Sequence, residues 1–396
     1  MISEAKMEKE NVKKALEELD REFSKETLDW LIRMYDGKSG GFYYAQSSID
    51  NEQFEPDIES TTQVLSLLDN LGLFECPERG VTNLPEWFKD GIYNFLAKRQ
   101  DEGDGYFYDP VYRLTANKAK KERNTVFVTT CLDYYIPRKT PYPTPMQRLK
   151  SDAAKKSTTD SDQSMYATKE SFLNWLEEIV KKHPDSYHWG SDICSGRAMI
   201  TATGHLHHCV EWLKERQNKE NGTWEKVFDT TAVNGVLKIC GYFNKNTEPF
   251  PNYEIYIKNL VEFTKTFVPG SAASAWNPLG SLKVILENLT EAPSPEIQET
   301  IDSGIAKMIS NTTEKMREFR QPDVGFGYGR QGSSKFSNDV QVSLGLPEGD
   351  VNALSLMTLI YRDAYRISGI KSSKVWKKYY DYFFEEIKKK YDKYHI

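Results

Sequence analysis

A repeated unit constrains this chain more than any other feature of its sequence. Four segments share an amphipathic helix, a polar turn and then glycine beside an aromatic residue, at 27–45, 91–109, 209–226 and 313–330. Two further segments, 171–192 and 252–278, keep the outline of the same unit. Self-similarity of this kind is typical of repeat architectures. The sequence therefore predicts six structural units in succession.

A second, more apolar helix is predicted after each turn. These helices are expected at 57–70, 122–136, 192–206, 229–243, 278–289 and 349–368. A helix that is apolar on nearly all sides is buried, whereas the first helix of each unit has charged faces and belongs outside. Six outer–inner pairs predict an all-α fold, an (α/α)6 toroid that spans 1–396 as a single domain. An open solenoid of helix pairs is the alternative.

Two stretches interrupt the repeat. Residues 138–165 begin Pro-rich and end polar, which predicts a long surface insertion. Residues 330–349 separate the last turn from its inner helix. Both could act as lids over the ring. Residues 372–394 predict an amphipathic helix that closes the fold.

Composition excludes several classes of protein. The formal net charge of -6, without a basic stripe, argues against nucleic-acid binding. The sequence contains no apolar run of about eighteen residues, so no integral membrane segment is predicted. The charged N-terminus lacks the apolar core of a secretory signal. Five scattered cysteines suit a reducing, cytoplasmic compartment, with Cys194, Cys209 and Cys240 expected as buried free thiols.

The ends of three outer helices carry a further signature, glutamine followed after a few polar residues by glycine and an aromatic residue. It occurs at Gln100 with Gly105, at Gln217 with Gly222 and Trp224, and at Gln321 with Gly325. This pattern resembles the QW repeat of the terpenoid cyclase and protein prenyltransferase superfamily, over about residues 25 to 370. The resemblance implies an α/α toroid in which these aromatic residues staple turns to helices.

The same resemblance can be followed to the catalytic motifs of that superfamily. Residues 57–62, Asp-Ile-Glu-Ser-Thr-Thr, stand where protonating cyclases carry Asp-x-Asp-Asp-Thr-Ala, so that Glu59 falls on the proton donor and Ser60 departs from the motif. Asp192 and Cys194 are similar to the first zinc ligands of the prenyltransferases. The nearby histidines at 205, 207 and 208 lie too close in sequence to complete the site. We therefore expect no metal and no cofactor.

The predicted topology places a ligand site at one end of the ring. The N-termini of six inner helices converge there, with unpaired N–H groups and partial positive charge. Carboxylates cluster at the same end, and two in one cleft can act as acid and base. Glu59 is the first candidate, with Asp57 or Asp350 as its partner. Ordinary helix capping is the alternative reading for each carboxylate.

Substrate-binding candidates share a position in or beside the aromatic turns, and they are Tyr43, Tyr44, Tyr106, Trp189, Asp192, Asp229, Tyr328 and Arg330. Arg330 could hold an anionic group such as a uronate carboxylate. Three functions follow: an enzyme acting on a saccharide or uronate, an isoprenoid enzyme, or a non-catalytic binding scaffold. A mouth of Tyr, Asp and Arg would favour the first, a deep apolar cavity the second, and a lack of convergent titratable groups the third.

Overall fold

The computed structural model describes residues 4–76, 82–112, 118–152 and 161–395. The sixteen helices of this part of the chain, α1 to α16, are Glu4–Asp20, Lys25–Met34, Gln46–Ile49, Ile58–Asn70, Glu86–Ala97, Lys118–Tyr134, Pro145–Asp152, Lys169–Lys182, Ser186–Ala202, Leu206–Arg216, Thr230–Ile239, Tyr253–Phe263, Ala272–Glu287, Pro295–Arg317, Val351–Ser368 and Tyr380–His395. The sheet in this part is one antiparallel hairpin, β1 (Phe336–Ser337) and β2 (Val340–Gln341). The predicted all-α class is confirmed.

The helices fall into two sets. One set comprises the helices predicted as inner, α4, α6, α9, α11, α13 and α15, and each of these contacts the next in that order. Helix α15 also contacts α4, so the order of contacts closes on itself. The charged helices α2, α5, α8, α10, α12 and α14 alternate with them along the chain. Helix α1 packs on α14 and α16 packs on α2.

Apolar side chains between the two sets form one large core. Its largest fully buried members include Trp30, Phe88, Tyr256, Tyr361 and Trp376. Each such side chain stabilises the fold by roughly 1.5–3 kcal/mol relative to an exposed position. A small separate cluster joins Tyr44 and Ala45 to Val342, below the hairpin. The 330–349 segment is therefore anchored to the first unit.

Aspartates begin three of the buried helices. The carboxylates of Asp57, Asp229 and Asp350 accept hydrogen bonds from the backbone N–H of Ser60, Ala232 and Ala353, at 2.8, 2.9 and 2.7 Å. Each bond satisfies one of the unpaired donors in the first turn of a helix. These caps confirm the predicted starts of α4, α11 and α15.

Two predicted helix starts were wrong by six residues. Helix α9 begins at Ser186 because Asp185 caps it, accepting from the backbone N–H of His188 at 3.0 Å. Helix α13 begins at Ala272 because Ser271 and Ser274 form a capping box. Asp192 therefore lies inside α9, and Pro278 lies inside α13. The aromatic segment before Asp192, which the sequence suggested as a turn, is the first turn of the helix.

The two expectations for the insertion and the C-terminus also need correction. Part of 138–165 is helical, as α7 and a 3-10 turn at Ser161–Tyr166, and 153–160 lies outside the described residues. The closing helix α16 begins at Tyr380, eight residues later than the expected 372, after a 3-10 turn at Lys377–Tyr379. The helix α6 begins at Lys118, four residues before the expected start.

Glutamine side chains hold two of the aromatic turns. Gln100 Nε2 donates to the carbonyl of Gly105 at 3.0 Å, and Gln217 Nε2 donates to the carbonyl of Gly222 at 2.9 Å. Both glycines have positive φ, +77° and +74°, which an L side chain adopts with strain. The glutamine and the glycine therefore serve the same turn geometry in the second and fourth units.

No helix in the described part of the chain combines the length and the apolar composition that crossing a bilayer requires.

Candidate functional site

A cavity of about 540 Å³ lies among the buried helices, and we call it the central cavity. Its wall takes residues from α4, α6, α9, α11, α13 and α15, and from the hairpin segment. The aromatic residues of the wall are Phe127, Tyr187, Trp276, Tyr328 and Phe336, and the ionisable ones include Glu59, Glu122, Arg123, Cys194 and Lys238. Its volume is within the roughly 300–1,000 Å³ typical of small-molecule sites.

Glu59 lies at the top of the central cavity in a dense ionic cluster. Its Oε1 accepts from Arg123 Nη2 at 2.6 Å and from Arg123 Nε at 3.1 Å, and its Oε2 accepts from Lys120 Nζ at 2.9 Å. Ser337 Oγ, on the hairpin, donates to Oε2 at 3.2 Å. Both carboxylate oxygens are therefore already hydrogen-bonded within the protein.

The electrostatics of Glu59 follow from those partners. Burial alone would raise the pKa of this carboxyl, but the charges of Arg123 and Lys120 and their hydrogen bonds outweigh burial. The pKa of Glu59 consequently lies well below its usual range. A carboxylate that stays ionised cannot donate a proton at neutral pH. The geometry thus assigns Glu59 to holding Arg123 and Lys120 in place.

Asp57 and Asp109 lie behind this cluster, outside the described wall of the central cavity. Asp109 Oδ1 accepts from the backbone N–H of Ile58 at 2.9 Å and lies 3.4 Å from Arg99 Nε. Burial, followed by the charge of Asp109, raises the pKa of Asp57 to about 7. These two carboxyls support the start of α4, so the structure does not present Asp57 to a ligand.

Lys238 lies on the wall formed by α9 and α11, and among the described residues it lacks the ionic partners that surround Glu59. Its Nζ lies 5.4 Å from the centre of the Tyr187 ring, and no described residue accepts a hydrogen bond from it. Burial lowers the pKa of Lys238, with the nearby thiol of Cys194 opposing and the charge of Arg123 adding to the effect. A lysine in this state keeps a larger neutral fraction, as a base requires.

Two of the three cysteines that we expected to be buried free thiols are buried. Cys209 and Cys240 are buried free thiols, and burial raises the pKa of each to about 12. Cys194 is also a free thiol, but it is exposed and lines the central cavity, so the expectation of burial was wrong.

Two of the predicted site residues do meet. Tyr328 and Glu59 both line the central cavity. The backbone N–H of Tyr328 donates to Asp350 Oδ2 at 2.7 Å, so this capping carboxylate also orients the turn that carries Tyr328. Burial raises the pKa of Tyr328 to about 12, which keeps its hydroxyl protonated at neutral pH. Asp350 itself is fully buried and does not face the cavity.

The other predicted binding residues lie away from the central cavity. Trp189 packs edge-on against Trp212 of the outer helix α10, and Asp192 pairs with His183 Nε2 at 3.2 Å. Arg330 points to the end of α14, where its Nε donates to Glu318 at 2.7 Å.

The remaining predicted residues serve the turns around the cavity mouth. Tyr44 is buried beside Val342, and Tyr43 and Tyr106 are half-buried. Asp229 caps α11. The structure brings none of these four to the described cavity wall.

Arg123, Lys238 and Tyr187 are wall residues that the sequence analysis missed. A charged residue on a helix predicted to be buried is a sequence signal that could have identified Arg123 and Lys238. Lys238 is the only charged residue of α11, and Arg123 lies three residues before the apolar run Val126–Val128 of α6, a helix predicted to be inner. A charge on a helix predicted to be buried must be paired or face a cavity. Which cavity it faces depends on the rotation of the helix, which sequence periodicity does not determine.

Comparison with protein family models, with curated proteins and with solved structures found no match to this chain. In the described residues, no three His, Cys, Asp or Glu side chains come together as ligands for a metal ion.

Proposed function

We propose that this protein is an (α/α)6 toroid enzyme whose central cavity binds an acidic saccharide, a uronate, and removes the proton from the carbon next to its carboxylate. The observation that carries the proposal is the contrast within one cavity. Glu59 is fully engaged by cations, while the ammonium of Lys238 has no described hydrogen-bond partner. Such a wall suits an anionic ligand and a base that is an amine.

The toroid is supported by the closed order of contacts among the buried helices and by the alternation of charged helices with them. The glutamine–glycine turns at Gln100 and Gln217 are consistent with kinship to the terpenoid cyclase superfamily at the level of fold. Fold kinship does not determine chemistry, so the function rests on the cavity.

Arg123 is the anchor for the carboxylate of the ligand. Its Nε and Nη2 bind Glu59, whereas its Nη1 binds no described residue, and 39% of the side chain remains exposed. Glu59 fixes the guanidinium plane through two hydrogen bonds, which orients the remaining N–H groups toward the cavity. A guanidinium held in this way binds a carboxylate with charge-assisted hydrogen bonds. It would also neutralise the charge that develops when the adjacent carbon loses its proton.

Lys238 is the base of the proposed reaction. Its neutral amine takes the C5 proton, and the electron pair of that C–H bond moves toward the carboxylate that Arg123 holds. The pair then forms the C4–C5 double bond as the C4–O4 bond breaks. Tyr328 or Tyr187 gives its hydroxyl proton to the departing oxygen. Return of a proton to the opposite face of C5, instead of cleavage, would give epimerisation.

Hydrolysis by two carboxylates is a weaker proposal for this cavity. It requires one carboxylic acid that can donate a proton and a second, free carboxylate. Glu59 is held ionised and both of its oxygens are hydrogen-bonded. Asp57 and Asp350 are engaged as helix caps.

The test combines binding with proton exchange. Galacturonate, glucuronate, galactose and farnesyl diphosphate are screened by thermal shift, since a ligand that binds only the native state raises Tm. The two uronates are then incubated with the enzyme in D2O, and loss of the C5 proton signal is followed by NMR. We expect uronates, and not galactose, to raise Tm, and C5 exchange to depend on the enzyme. Binding without exchange would overturn the catalytic part of the proposal.

The aromatic wall supports one other function. Phe127, Trp276 and Phe336 could pack against an isoprenoid chain, with the cations on its diphosphate. A Tm increase with farnesyl diphosphate and none with uronates would favour that function.

A further inference from the structure

A second cavity continues from the central one. It measures about 490 Å³, and we call it the side cavity. Val126, Cys194 and Ser195 line both cavities, so the two share one wall. The side cavity extends from there along α9 to Thr201 and Ala202 and is bounded by Met146 of α7. The two cavities are therefore adjacent along α9.

The position of the side cavity follows from the packing of the buried helices. Helices α6 and α9 make the loosest contact in the closed order, and α7 of the insertion packs on α9 beside this gap. The wall there carries small side chains, Ser195, Ala198 and Ala202 among them. Residues of this size leave the gap open, whereas the other neighbouring pairs in the ring are closed by their core side chains.

Arg197 is the one charged residue among the described residues that line the side cavity. It lines the wall, and its guanidinium lies 5.3 Å from the ring centre of Tyr242. No described carboxylate pairs with it, and no described oxygen accepts a hydrogen bond from it. An arginine stacked on an aromatic ring and otherwise unpaired is suited to a planar anionic group such as a carboxylate.

We propose that the side cavity is a second subsite, with Arg197 binding the carboxylate of a neighbouring sugar, so that the substrate is an acidic oligosaccharide and not a single uronate. This inference rests on the proposed function of the central cavity. Two separated guanidinium groups, Arg123 and Arg197, then bind successive acidic residues of one chain. The shared wall at Cys194 and Ser195 is where the chain passes from one subsite to the other.

The experiment compares ligand lengths by isothermal titration calorimetry. Galacturonate, trigalacturonate and the neutral maltotriose are titrated into the wild type, Arg197→Met and Arg21→Met. Arg21 is exposed just beyond α1, so that its replacement removes the same charge far from either cavity. Methionine retains the bulk of the arginine stem without the guanidinium.

We expect trigalacturonate to bind the wild type at least about ten-fold more tightly than galacturonate, because the second carboxylate gains a charge-assisted hydrogen bond. Arg197→Met should remove most of that advantage, and Arg21→Met should retain it. Equal affinity for the two acids, or the same loss in both variants, would overturn the side subsite while leaving the central site intact. Binding of maltotriose as tight as that of trigalacturonate would overturn the acidic class. No binding of either acid would overturn the proposed function as well.

Discussion

The two walls of the central cavity hold charge in different ways. At the α4–α6 wall, Glu59 pairs with both Arg123 and Lys120, and the side chains of Glu59 and Lys120 keep only 3% and 2% of their surface exposed. At the α9–α11 wall, Lys238 has no such partner among the described residues. Burying a charge is costly unless it is paired. The ion pairs of the first wall therefore contribute to the fold, and the second wall carries the ammonium group that is available as a base.

The largest effect is expected at the unpaired wall. Lys238→Met should lower the rate of uronate C5 exchange by about 10²–10⁴-fold, the usual contribution of a positioned base. The Tm should stay the same or rise, because an unpaired buried charge is removed. NMR exchange and differential scanning calorimetry measure the two quantities. Lys238→Arg is the control for charge: since arginine cannot deprotonate, it should keep binding and lose exchange. If Lys238→Met retained the C5 exchange rate of the wild type, Lys238 would not be the base of the reaction.

A large loss of stability is expected at the paired wall. Glu59→Gln removes the charge that balances Lys120 and Arg123, and breaking one partner of a buried pair costs about 3–5 kcal/mol. Urea denaturation gives the free energy of unfolding. The matched control is Glu296→Gln, which breaks an exposed pair with Lys258 on α12 and should cost less than about 1 kcal/mol. A Glu59→Gln variant as stable as the wild type would instead support the role of Glu59 as an acid or base.

The pH dependence distinguishes Asp57 from Glu59. The pKa of Asp57 is raised to about 7 in the fold, above the unfolded value of about 3.9. The folded state therefore binds more protons between these values, and Asp57 lowers the free energy of unfolding as pH rises from about 4 to about 7, on the order of 1 kcal/mol per pH unit. Burial also raises the pKa of Asp350 to about 7 and that of Asp69 to about 6, so these two groups add to the slope of the wild type. The lowered pKa of Glu59 acts in the other direction, so stability falls again as pH drops below about 4.3.

Asp57→Asn checks this assignment, because asparagine also caps helices and retains most of the shape. Denaturation of the variant between pH 4.5 and 8 should show a clearly smaller slope than that of the wild type. Identical slopes would place the titrating group elsewhere.

The smallest effect is expected for the hairpin. Ser337→Ala removes one hydrogen bond to Glu59, and that carboxylate keeps its bonds to Arg123 and Lys120. The loss should be about 0.5–1 kcal/mol in urea denaturation. The comparison is Ser334→Ala, at a wall residue just before the hairpin, which removes one hydrogen bond to the carbonyl of Phe336 and leaves the bonds of Glu59 in place. A loss above about 3 kcal/mol would mean that the hairpin is an essential part of the paired wall.

The helix pairs could be predicted from sequence because each leaves a local signal. Periodicity marks the helices, and Asp57, Asp229 and Asp350 mark their starts. Asp192 misled the prediction because Asp185, seven residues earlier, is an equally good helix cap.

The cavity could be predicted only in part. Glu59 was found because it stands in the first turn of a predicted inner helix, at the end where the N-termini of these helices were expected to converge. Arg123 and Lys238 were missed because they lie deeper in their helices, where the direction of a side chain depends on how the helix is rotated. That rotation results from packing between distant units, and sequence periodicity does not contain it.

The contacts between the first and sixth units have a consequence for how the molecule is made. Trp30 Nε1 donates to Asp323, Ser47 Oγ donates to Glu348, and Gln63 Nε2 donates to Asn352, across 293, 301 and 289 positions of sequence. Contacts this distant form late in folding, because a long loop must close first. During synthesis α4 must wait for α15 to leave the ribosome, with part of its apolar surface uncovered. The nascent chain is thus at its most aggregation-prone just before the last unit is complete, and a chaperone that shields α4 would act in that interval.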